Sequence, residues 1–334
     1  MGAPIAITMG EPSGVGGEIA IAAWRSLRRS GSPFFLLDDP ARLAALADHL
    51  GDPVPVETIA EPREAPFVFP RALPVLALSH PVPLSLGAPL PKSAPAVIEA
   101  IELASRLTAE GRASALVTNP INKASLKRAG FSHPGHTEFL SELAGGADTV
   151  MMLAGKGLRV VPVTIHIPLS EVAGALTTEK IVTAGRILHR ALRSDFAVSH
   201  PRIAVAGLNP HAGEEGSIGH EDQQIVRPAV NALRAGGIDA VGPLPADTMF
   251  HERARARYDA ALCMYHDQAL VPLKTLAFDE GVNVTLGLPF VRTSPDHGTA
   301  LDIAGQGVAR PDSLIAAIEL AADIDARRAQ RVVA

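Results

Sequence analysis

The sequence predicts an α/β protein in which helices cover both faces of a mostly parallel β-sheet. Apolar runs typical of buried strands alternate with amphipathic helical stretches over nearly all of the 334 residues. The composition agrees with this class, because 47% of the residues are hydrophobic but only 4% are aromatic. Aliphatic side chains predominate where a parallel sheet is buried between helices. A chain of this length is expected to form two domains or one large α/β domain.

The elements follow one another along the whole chain. A glycine-rich turn joins the first strand to a helix with Ile19, Ala23 and Leu27 on one face. The proline-rich segment 51–91 is interpreted as loops and short strands. We predict strands at 5–8, 114–118, 159–165, 202–208 and 260–265, and helices at about 93–108, 179–193, 222–235 and 312–329.

The turn after the first strand does not have a nucleotide-binding fingerprint. Reading G-x-G-x-x-G from Gly14 requires glycine where Ile19 stands, and reading a P-loop from Gly10 requires glycine and lysine where Val15 and Gly16 stand. Two interpretations stay open, which are a tight turn that needs glycine for close packing and a role beside the active site.

Three histidines each lie just past a predicted strand. The runs 159–165, 202–208 and 260–265 lead to His166, His211 and His266. Because parallel strands end on one edge of a sheet and ligands bind there, the three rings could converge on one metal ion. Three protein ligands with an open position indicate a catalytic site. Imidazoles favour Zn²⁺ or Co²⁺, and Mg²⁺ is possible if substrate oxygens complete the shell. With 12 histidines in the chain, a chance arrangement is the alternative.

Several later residues are typical of anion binding. Gly135-His136-Thr137 enters a predicted helix, so that His136 and the free helix N–H groups could face a phosphate or carboxylate; the alternative is that Thr137 is only an N-cap. Lys274 lies in an apolar setting, and Arg292 follows an apolar run. A single basic residue usually extends to solvent, but two beside a metal site favour a phosphate clamp.

Two loops supply further candidates. In the long polar loop 294–307, Asp302 could bind a ribose diol and Gly298 would let a flat base approach the backbone; alternatively, Asp302 caps a helical turn. Asp247, in a proline-bounded loop, is a candidate general base or a residue that orients a metal ligand, although aspartate is common in loops for turn chemistry alone.

The bulk properties restrict location and partners. The net charge of -5 gives no sign of a nucleic-acid partner. No apolar run is long enough to span a membrane, the N-terminus has no signal-peptide pattern, and the single Cys263 rules out an intrachain disulfide framework. We therefore expect a cytoplasmic protein.

Taken together, six segments resemble the 4-hydroxythreonine-4-phosphate dehydrogenase (PdxA) family over essentially the full length. They are Thr118-Asn119-Pro120-Ile121-Asn122-Lys123, Gly135-His136-Thr137-Glu138-Phe139, Asn209-Pro210-His211-Ala212-Gly213-Glu214, Gly242-Pro243-Leu244-Pro245-Ala246-Asp247-Thr248, Tyr265-His266-Asp267-Gln268 and Arg292-Thr293-Ser294-Pro295-Asp296-His297-Gly298-Thr299-Ala300. The parts His297-Gly298 and Asp302-Ile303-Ala304-Gly305 also resemble the adenosine-binding loop of isopropylmalate and isocitrate dehydrogenases. One departure is Glu11, where the family usually has aspartate.

The resemblance implies an isocitrate/isopropylmalate dehydrogenase-like fold, not a Rossmann fold, with two α/β/α domains and a cleft between them. We expect residues 1–125 with 295–334 in the first domain, and residues 126–294, carrying the metal ligands and the dimer interface, in the second. It also implies a homodimer whose metal is held by His166 and His211 of one subunit and by His266 of the partner subunit. The positions that match the family's substrate contacts are His136, Thr137, Lys274, Asn283 and Arg292.

The implied activity is oxidation of 4-phosphooxy-L-threonine by NAD or NADP in pyridoxine 5′-phosphate (vitamin B6) biosynthesis. The product, 2-amino-3-oxo-4-phosphooxybutanoate, is a β-keto acid and should lose CO₂ to give 3-amino-2-oxopropyl phosphate. Asp247 would be the base, and His297, Gly298 and Asp302 would bind the nucleotide. The alternatives are a related dehydrogenase for another phosphorylated sugar acid or a dihydrodiol carboxylate, and a metal-dependent hydrolase, against which the Asp302 loop argues.

Overall fold

The chain folds into two compact units. A computed structural model describes residues 2–133 and 135–333, with the backbone alone for 331–333. Unit 1 comprises Met1–Asp148 and Leu288–Ala326, and unit 2 comprises Thr149–Gly287 and Arg327–Ala334. The strands are β1 (Ile5–Thr8), β2 (Phe34–Asp38), β3 (Val56–Ile59), β4 (Leu73–Ala77), β5 (Leu116–Thr118), β6 (Val150–Gly155), β7 (Leu158–Thr164), β8 (Arg202–Ala206), β9 (Asp239–Leu244), β10 (Ala260–Tyr265), β11 (Val282–Leu286) and β12 (Arg292–Pro295).

Helices occur between most of the strands. They are α1 (Gly16–Leu27), α2 (Pro40–His49), α3 (Ala65–Val68), α4 (Ala94–Ala109), α5 (Lys123–Arg128), α6 (His136–Leu143), α7 (Leu169–Ala175), α8 (Thr178–Ser194), α9 (Arg227–Ala235), α10 (Glu252–Arg255), α11 (His266–Ala277) and α12 (Asp312–Val333). No helix among the described residues has the length and apolar character of a membrane span.

Unit 1 is built on a parallel sheet with the strand order β3-β4-β2-β1-β5-β12. Successive residues of β2 enter different layers, as the period-2 geometry of a strand requires. Phe35 belongs to a core cluster that also holds residues of α4. Phe34 instead packs edge-to-face on Phe69, with ring centroids 4.9 Å apart, and Trp24 of α1 donates a hydrogen bond of 2.9 Å to the Phe69 carbonyl. Apolar packing therefore covers both faces of the sheet.

Unit 2 contains the three strands that precede the histidines. Its strand order is β11-β6-β7-β10-β8-β9. Strands β7, β10, β8 and β9 run parallel, and β6 runs antiparallel to both of its neighbours. The three strands predicted at 159–165, 202–208 and 260–265 are neighbours as β7, β8 and β10, with β10 in the middle. Their carboxyl ends consequently lie along one edge of the sheet.

The division between the units differs from the expected boundaries. Residues 126–148 lie in unit 1, because α6 packs against α4 and Phe139 contacts Phe131 edge-to-face, with ring centroids 5.0 Å apart. Residues 288–294 also lie in unit 1, because β12 pairs with β5. The last residues of α12 belong to unit 2, where Arg328 forms an ion pair of 2.8 Å with Asp195.

Candidate functional site

Two of the three predicted metal ligands lie together at the carboxyl edge of the unit 2 sheet. His166 follows β7 and His266 begins α11 directly after β10. Their ring centroids are 5.8 Å apart, which is close enough for both to bind one ion, since a Zn–N bond is about 2.0–2.1 Å long. The Asp267 carboxylate lies 2.7 Å from His266 Nδ1. A bond from Nδ1–H to that carboxylate leaves Nε2 of the same ring as the ligand atom.

His211 follows β8 in a segment of unusual backbone geometry. It has a φ of +53°, and Ala212, Glu214 and Glu215 also have positive φ; His166 has a φ of +50°. Non-glycine residues rarely adopt this conformation, and such strain is concentrated at functional sites. Within the described residues of one chain, no group of three or more His, Cys, Asp or Glu side chains is placed to hold a metal ion. Within one chain, His166 and His266 are therefore close enough to share an ion, and among the described residues His211 does not join them in a three-ligand group.

Buried polar side chains hold the two loops that carry His211 and His266. Asp222 is fully buried and accepts hydrogen bonds from the backbone N–H groups of Leu208 (2.7 Å) and Asn209 (3.0 Å). Gln268 accepts from the Met264 N–H and donates to the Gly207 carbonyl, at 2.7 Å in each case. The ends of β8 and β10 are therefore fixed to each other beside the histidines.

The other three predicted residues of unit 2 lie in the turn after β9, on α11 and on β11. Asp247 is exposed in a short 3-10 turn after β9, and this turn contacts the segment that carries His211. Lys274 lies on α11 with its Nζ 5.8 Å from the centre of the Phe278 ring. Asn283 lies on β11, and its buried Oδ1 has no hydrogen-bond partner in the described part of the chain. A buried acceptor of this kind is suited to a ligand that donates a hydrogen bond.

In unit 1, His136 and Arg292 come together at a site with excess positive charge. Arg292 is 4% exposed, donates a hydrogen bond of 2.6 Å to Thr118 Oγ1, and has its pKa lowered to about 10 by burial, so it stays charged at neutral pH. Burial, together with the charges of Arg292 and Lys123, holds the pKa of His136 well below its usual value. The buried His136 Nε2 has no hydrogen-bond partner among the described residues. Two cations around an unpartnered imidazole are complementary to a phosphate or carboxylate.

The start of α6 adds to this anion site. Gly135 is the N-cap residue and makes no side-chain cap, so Thr137 lies inside the first turn and is not the N-cap. The backbone N–H groups of a helix's first turn have no partners within the helix and favour an anion. A Cβ atom at Gly135 would lie 3.3 Å from Cε of Lys123 and 3.4 Å from Oε2 of Glu138, so a lysine and a carboxylate both approach this turn.

The predicted nucleotide loop lies between β12 and α12 in unit 1. Gly298 has open space where a Cβ atom would be, with no heavy atom within 4 Å, so a flat ring could approach the backbone there. The side chains of His297 and Asp302 are exposed. The Asp302 carbonyl accepts a hydrogen bond of 2.8 Å from Gln306 Nε2, which closes a turn within the loop. The loop therefore fits a dinucleotide through an accessible glycine and an exposed carboxylate.

Sequence reasoning did not identify several residues that shape these sites. Lys123 is one of these residues, and its position shortly after Asn119-Pro120 at the end of a predicted strand is a usable signal. Asp222, Gln268 and Glu18 act through contacts with distant backbone groups. No local sequence pattern indicates such contacts.

Comparisons with known proteins give a consistent result over the whole chain. Residues 31–321 match the family model described as "Pyridoxal phosphate biosynthetic protein PdxA". The chain is 57% identical over 337 residues to the 4-hydroxythreonine-4-phosphate dehydrogenase of Methylorubrum populi, covering 98% of this chain and 96% of the relative. It is 55% identical over 331 residues to that of Caulobacter vibrioides, covering 97% and 98%.

Solved structures agree with the sequence relatives. The 4-hydroxythreonine-4-phosphate dehydrogenase of Klebsiella pneumoniae matches with a TM-score of 0.87 and 40% identity, covering 97% of this chain and 99% of the other. A terephthalate 1,2-cis-dihydrodiol dehydrogenase from Burkholderia xenovorans matches with a TM-score of 0.65 and 26% identity, covering 96% and 98%. The predicted α/β class is confirmed by these matches. The chain belongs to the PdxA family.

Proposed function

We propose that this protein is a 4-hydroxythreonine-4-phosphate dehydrogenase of pyridoxine 5′-phosphate biosynthesis. It oxidises the secondary alcohol of 4-phosphooxy-L-threonine with NAD⁺ or NADP⁺, and the β-keto acid product loses CO₂ to give 3-amino-2-oxopropyl phosphate. The observation that carries the proposal is identity of 57% over 98% of the chain to a relative of that name. The anion site around His136 and Arg292 supports it, because the substrate carries both a phosphate and a carboxylate.

The charged groups of the substrate are assigned to the predicted substrate-binding residues. His136, Thr137, Arg292 and, in addition, Lys123 line the positively charged site of unit 1. Lys274 and Asn283 of unit 2 are the remaining substrate contacts. Arginine offers a bidentate fork for a phosphate or carboxylate, and lysine offers a point charge.

A divalent cation, Zn²⁺, Co²⁺ or Mg²⁺, is assigned to His166 and His211 of one subunit with His266 of the partner subunit. The positions of His166, His211 and His266 after three neighbouring strands, and the carboxylate of Asp267 beside His266, support a metal role for this edge. When bound, the ion supplies Lewis-acid chemistry to the oxygens of the substrate. Asp247 is the proposed base, and it takes the hydroxyl proton directly or through one water molecule.

The proposed homodimer is supported by the apolar surface of unit 2. Ile167, Leu169, Val271 and Phe278 are large hydrophobic side chains that are 36%, 71%, 61% and 74% exposed. Ile167 directly follows His166, and Leu169 begins α7 shortly after it. Val271 lies on α11, the helix that begins at His266. Large apolar side chains exposed beside a site are typical of a protein–protein interface. Cytoplasmic location remains a prediction, with the single Cys263 as a free, buried thiol.

The decisive experiment is an assay of purified protein with a divalent metal, NAD⁺ or NADP⁺, and 4-phosphooxy-L-threonine. The quantities measured are the reduced dinucleotide that forms and the CO₂ that is released. We expect both products. A cis-dihydrodiol of terephthalate serves as the competing substrate, because one relative of known structure carries that activity in its name. Reduction of the dinucleotide in the presence of the dihydrodiol but not of the phosphorylated substrate would refute the assignment.

The anion site is tested by comparing two lysines of α5. Lys123→Met removes a charge next to His136, whereas Lys127→Met removes an exposed charge from the same helix. We expect the KM for the phosphorylated substrate to rise about 10-fold or more with Lys123→Met, since a charged hydrogen bond contributes about 1.5–3 kcal/mol. The Lys127 variant should behave as the wild type. An unchanged KM for Lys123→Met would remove this lysine from the site.

A further inference from the structure

The loop between β12 and α12, residues 296–311, has no helix or strand among its described residues and depends on other elements for its shape. Its first anchor is at Thr299, whose carbonyl accepts a hydrogen bond of 3.0 Å from the Val15 N–H at the start of α1. A Cβ atom at Gly14 would lie 2.5 Å from the same carbonyl oxygen. The glycine-rich turn therefore provides the close backbone approach that this anchor needs.

The second anchor is the backbone of Gly305, whose N–H and carbonyl groups are each held by a side chain. Glu18 of α1 accepts a hydrogen bond of 2.8 Å from the Gly305 N–H. His49, at the end of α2, lies with Nε2 3.2 Å from the Gly305 carbonyl oxygen and donates when Nε2 carries the proton. Gly305 has a φ of +78°, a conformation that glycine adopts without cost. Two side chains from different helices thus hold the two successive peptide groups on either side of the Gly305 Cα atom.

Glu18 is unusual for a carboxylate at a helix start, because it is only 6% exposed. A buried carboxylate is expensive to desolvate unless it is hydrogen-bonded. Its carboxylate accepts a hydrogen bond from the backbone of the 296–311 loop. The carboxylate is not the cap of α1, because Glu18 lies inside the first turn of that helix. The position is therefore best explained by the loop that it holds.

Between the two anchors lie residues 300–304, which include Asp302. We propose that Glu18 and His49 are positioning residues for dinucleotide binding. By holding the N–H and carbonyl groups of Gly305, they keep the loop in the conformation in which Asp302 presents its carboxylate to the ribose of NAD⁺ or NADP⁺. This inference rests on the proposed function, because it takes the loop as the dinucleotide site. It also gives the glycine-rich turn a role beside the active site, as the surface on which the nucleotide loop is held.

The test compares variants that remove or retain the acceptor at position 18. Glu18→Met keeps the length of the side chain and removes both oxygens, and Glu18→Gln retains one acceptor. His49→Leu removes the bond to the Gly305 carbonyl from an exposed position where folding is not at risk. Glu102→Met, an exposed glutamate on α4 of the same unit, is the matched control. NADH and NADPH binding is measured by their fluorescence, and hydrogen exchange is measured on peptides covering 299–306.

We expect the Kd for the reduced dinucleotide and the KM for its oxidised form to rise about tenfold or more with Glu18→Met. Glu18→Gln should restore part of the affinity. The KM for the phosphorylated substrate and kcat at saturating dinucleotide should stay within about threefold of the wild type, since the variants leave the residues that contact substrate in place. Exchange of the 299–306 amides should be faster in Glu18→Met and in His49→Leu. The double variant should lose less affinity for dinucleotide than the sum of the two single losses, because both side chains hold the backbone of the same residue, Gly305.

Unchanged dinucleotide affinity together with faster exchange would overturn the inference while leaving the proposed function intact. Unchanged exchange would also overturn it, because the anchors would then not hold the loop. If the wild-type protein binds neither NADH nor NADPH, the proposed function and the inference both fail. If Glu18→Met does not fold, His49→Leu with its matched readouts decides the question alone.

Discussion

The ionisation of His136 is perturbed by its buried, positively charged surroundings. Burial, with the charges of Arg292 and Lys123, lowers the pKa of His136 well below its usual value. The unfolded chain protonates this histidine near pH 6.5, whereas the folded chain does not. The contribution of His136 to the free energy of unfolding is therefore fully present above about pH 6.5. It decreases as the pH falls below that value, because the unfolded state then binds more protons than the folded state.

His136→Gln should remove this dependence. Between pH 7.5 and 5.5 the wild type should lose up to about 1.4 kcal/mol more of its free energy of unfolding than the variant does. Trp24, the single tryptophan of the chain and a buried residue of unit 1, reports unfolding in urea by its fluorescence. His200→Gln, at an exposed histidine, should leave the pH dependence as in the wild type. Equal pH dependence in wild type and His136→Gln would show that the buried ring titrates normally.

At the scale of elements, the buried Arg42 joins α2 to the end of β2 and to the turn that leads into α1. Arg42 of α2 pairs with Asp38 at the end of β2, and the two side chains are 0% and 1% exposed. Arg42 also donates a hydrogen bond of 3.1 Å to the Pro12 carbonyl. Asp38→Asn would leave the guanidinium buried without its carboxylate. We expect a loss of about 3–5 kcal/mol and a fall in Tm of about 10 °C, measured by Trp24 fluorescence on heating.

The exposed pair Arg71–Glu57 provides the comparison for this loss. Its side chains are 61% and 41% exposed, so Glu57→Gln should cost less than about 1 kcal/mol. Similar losses for the two substitutions would show that burial does not set the strength of the Asp38–Arg42 interaction. A normal Tm with an altered KM for dinucleotide in Asp38→Asn would mean that the pair shapes the turn more than it stabilises the unit.

Local patterns predicted β1, β5, β7, β8 and β10, because each of these strands is a distinct apolar run, whereas the other strands were not assigned individually. The apolar runs before His166, His211 and His266 became three neighbouring parallel strands, which brought the histidines to one edge. The extent of each unit could not be read in the same way. Residues 126–148 joined unit 1 because Phe131, Phe139 and Leu140 belong to the core cluster that holds residues of α4, and these contacts depend on tertiary structure. The bond between Glu18 and Gly305 joins residues 287 positions apart, and such pairs leave no local pattern.

At the scale of the whole molecule, the proposed site requires two subunits, and the origin of each histidine can be tested directly. His166 and His266 of one chain have ring centroids only 5.8 Å apart, so a single chain could also supply both. We predict instead that His166 and His211 work with His266 of the partner subunit. Mixed dimers of His166→Ala and His266→Ala chains distinguish the two arrangements, because each chain alone forms dimers that lack one ligand at both sites.

If the ligands come from both subunits, a mixed dimer has one site with both substitutions and one site with all three histidines intact. Its activity and its bound metal should then be about half those of the wild type, because one of two independent sites is restored. If each site takes His166 and His266 from the same chain, both sites of the mixed dimer lack a ligand and no activity returns. Differently tagged chains isolate the mixed species, and metal content measured on it provides a readout independent of turnover.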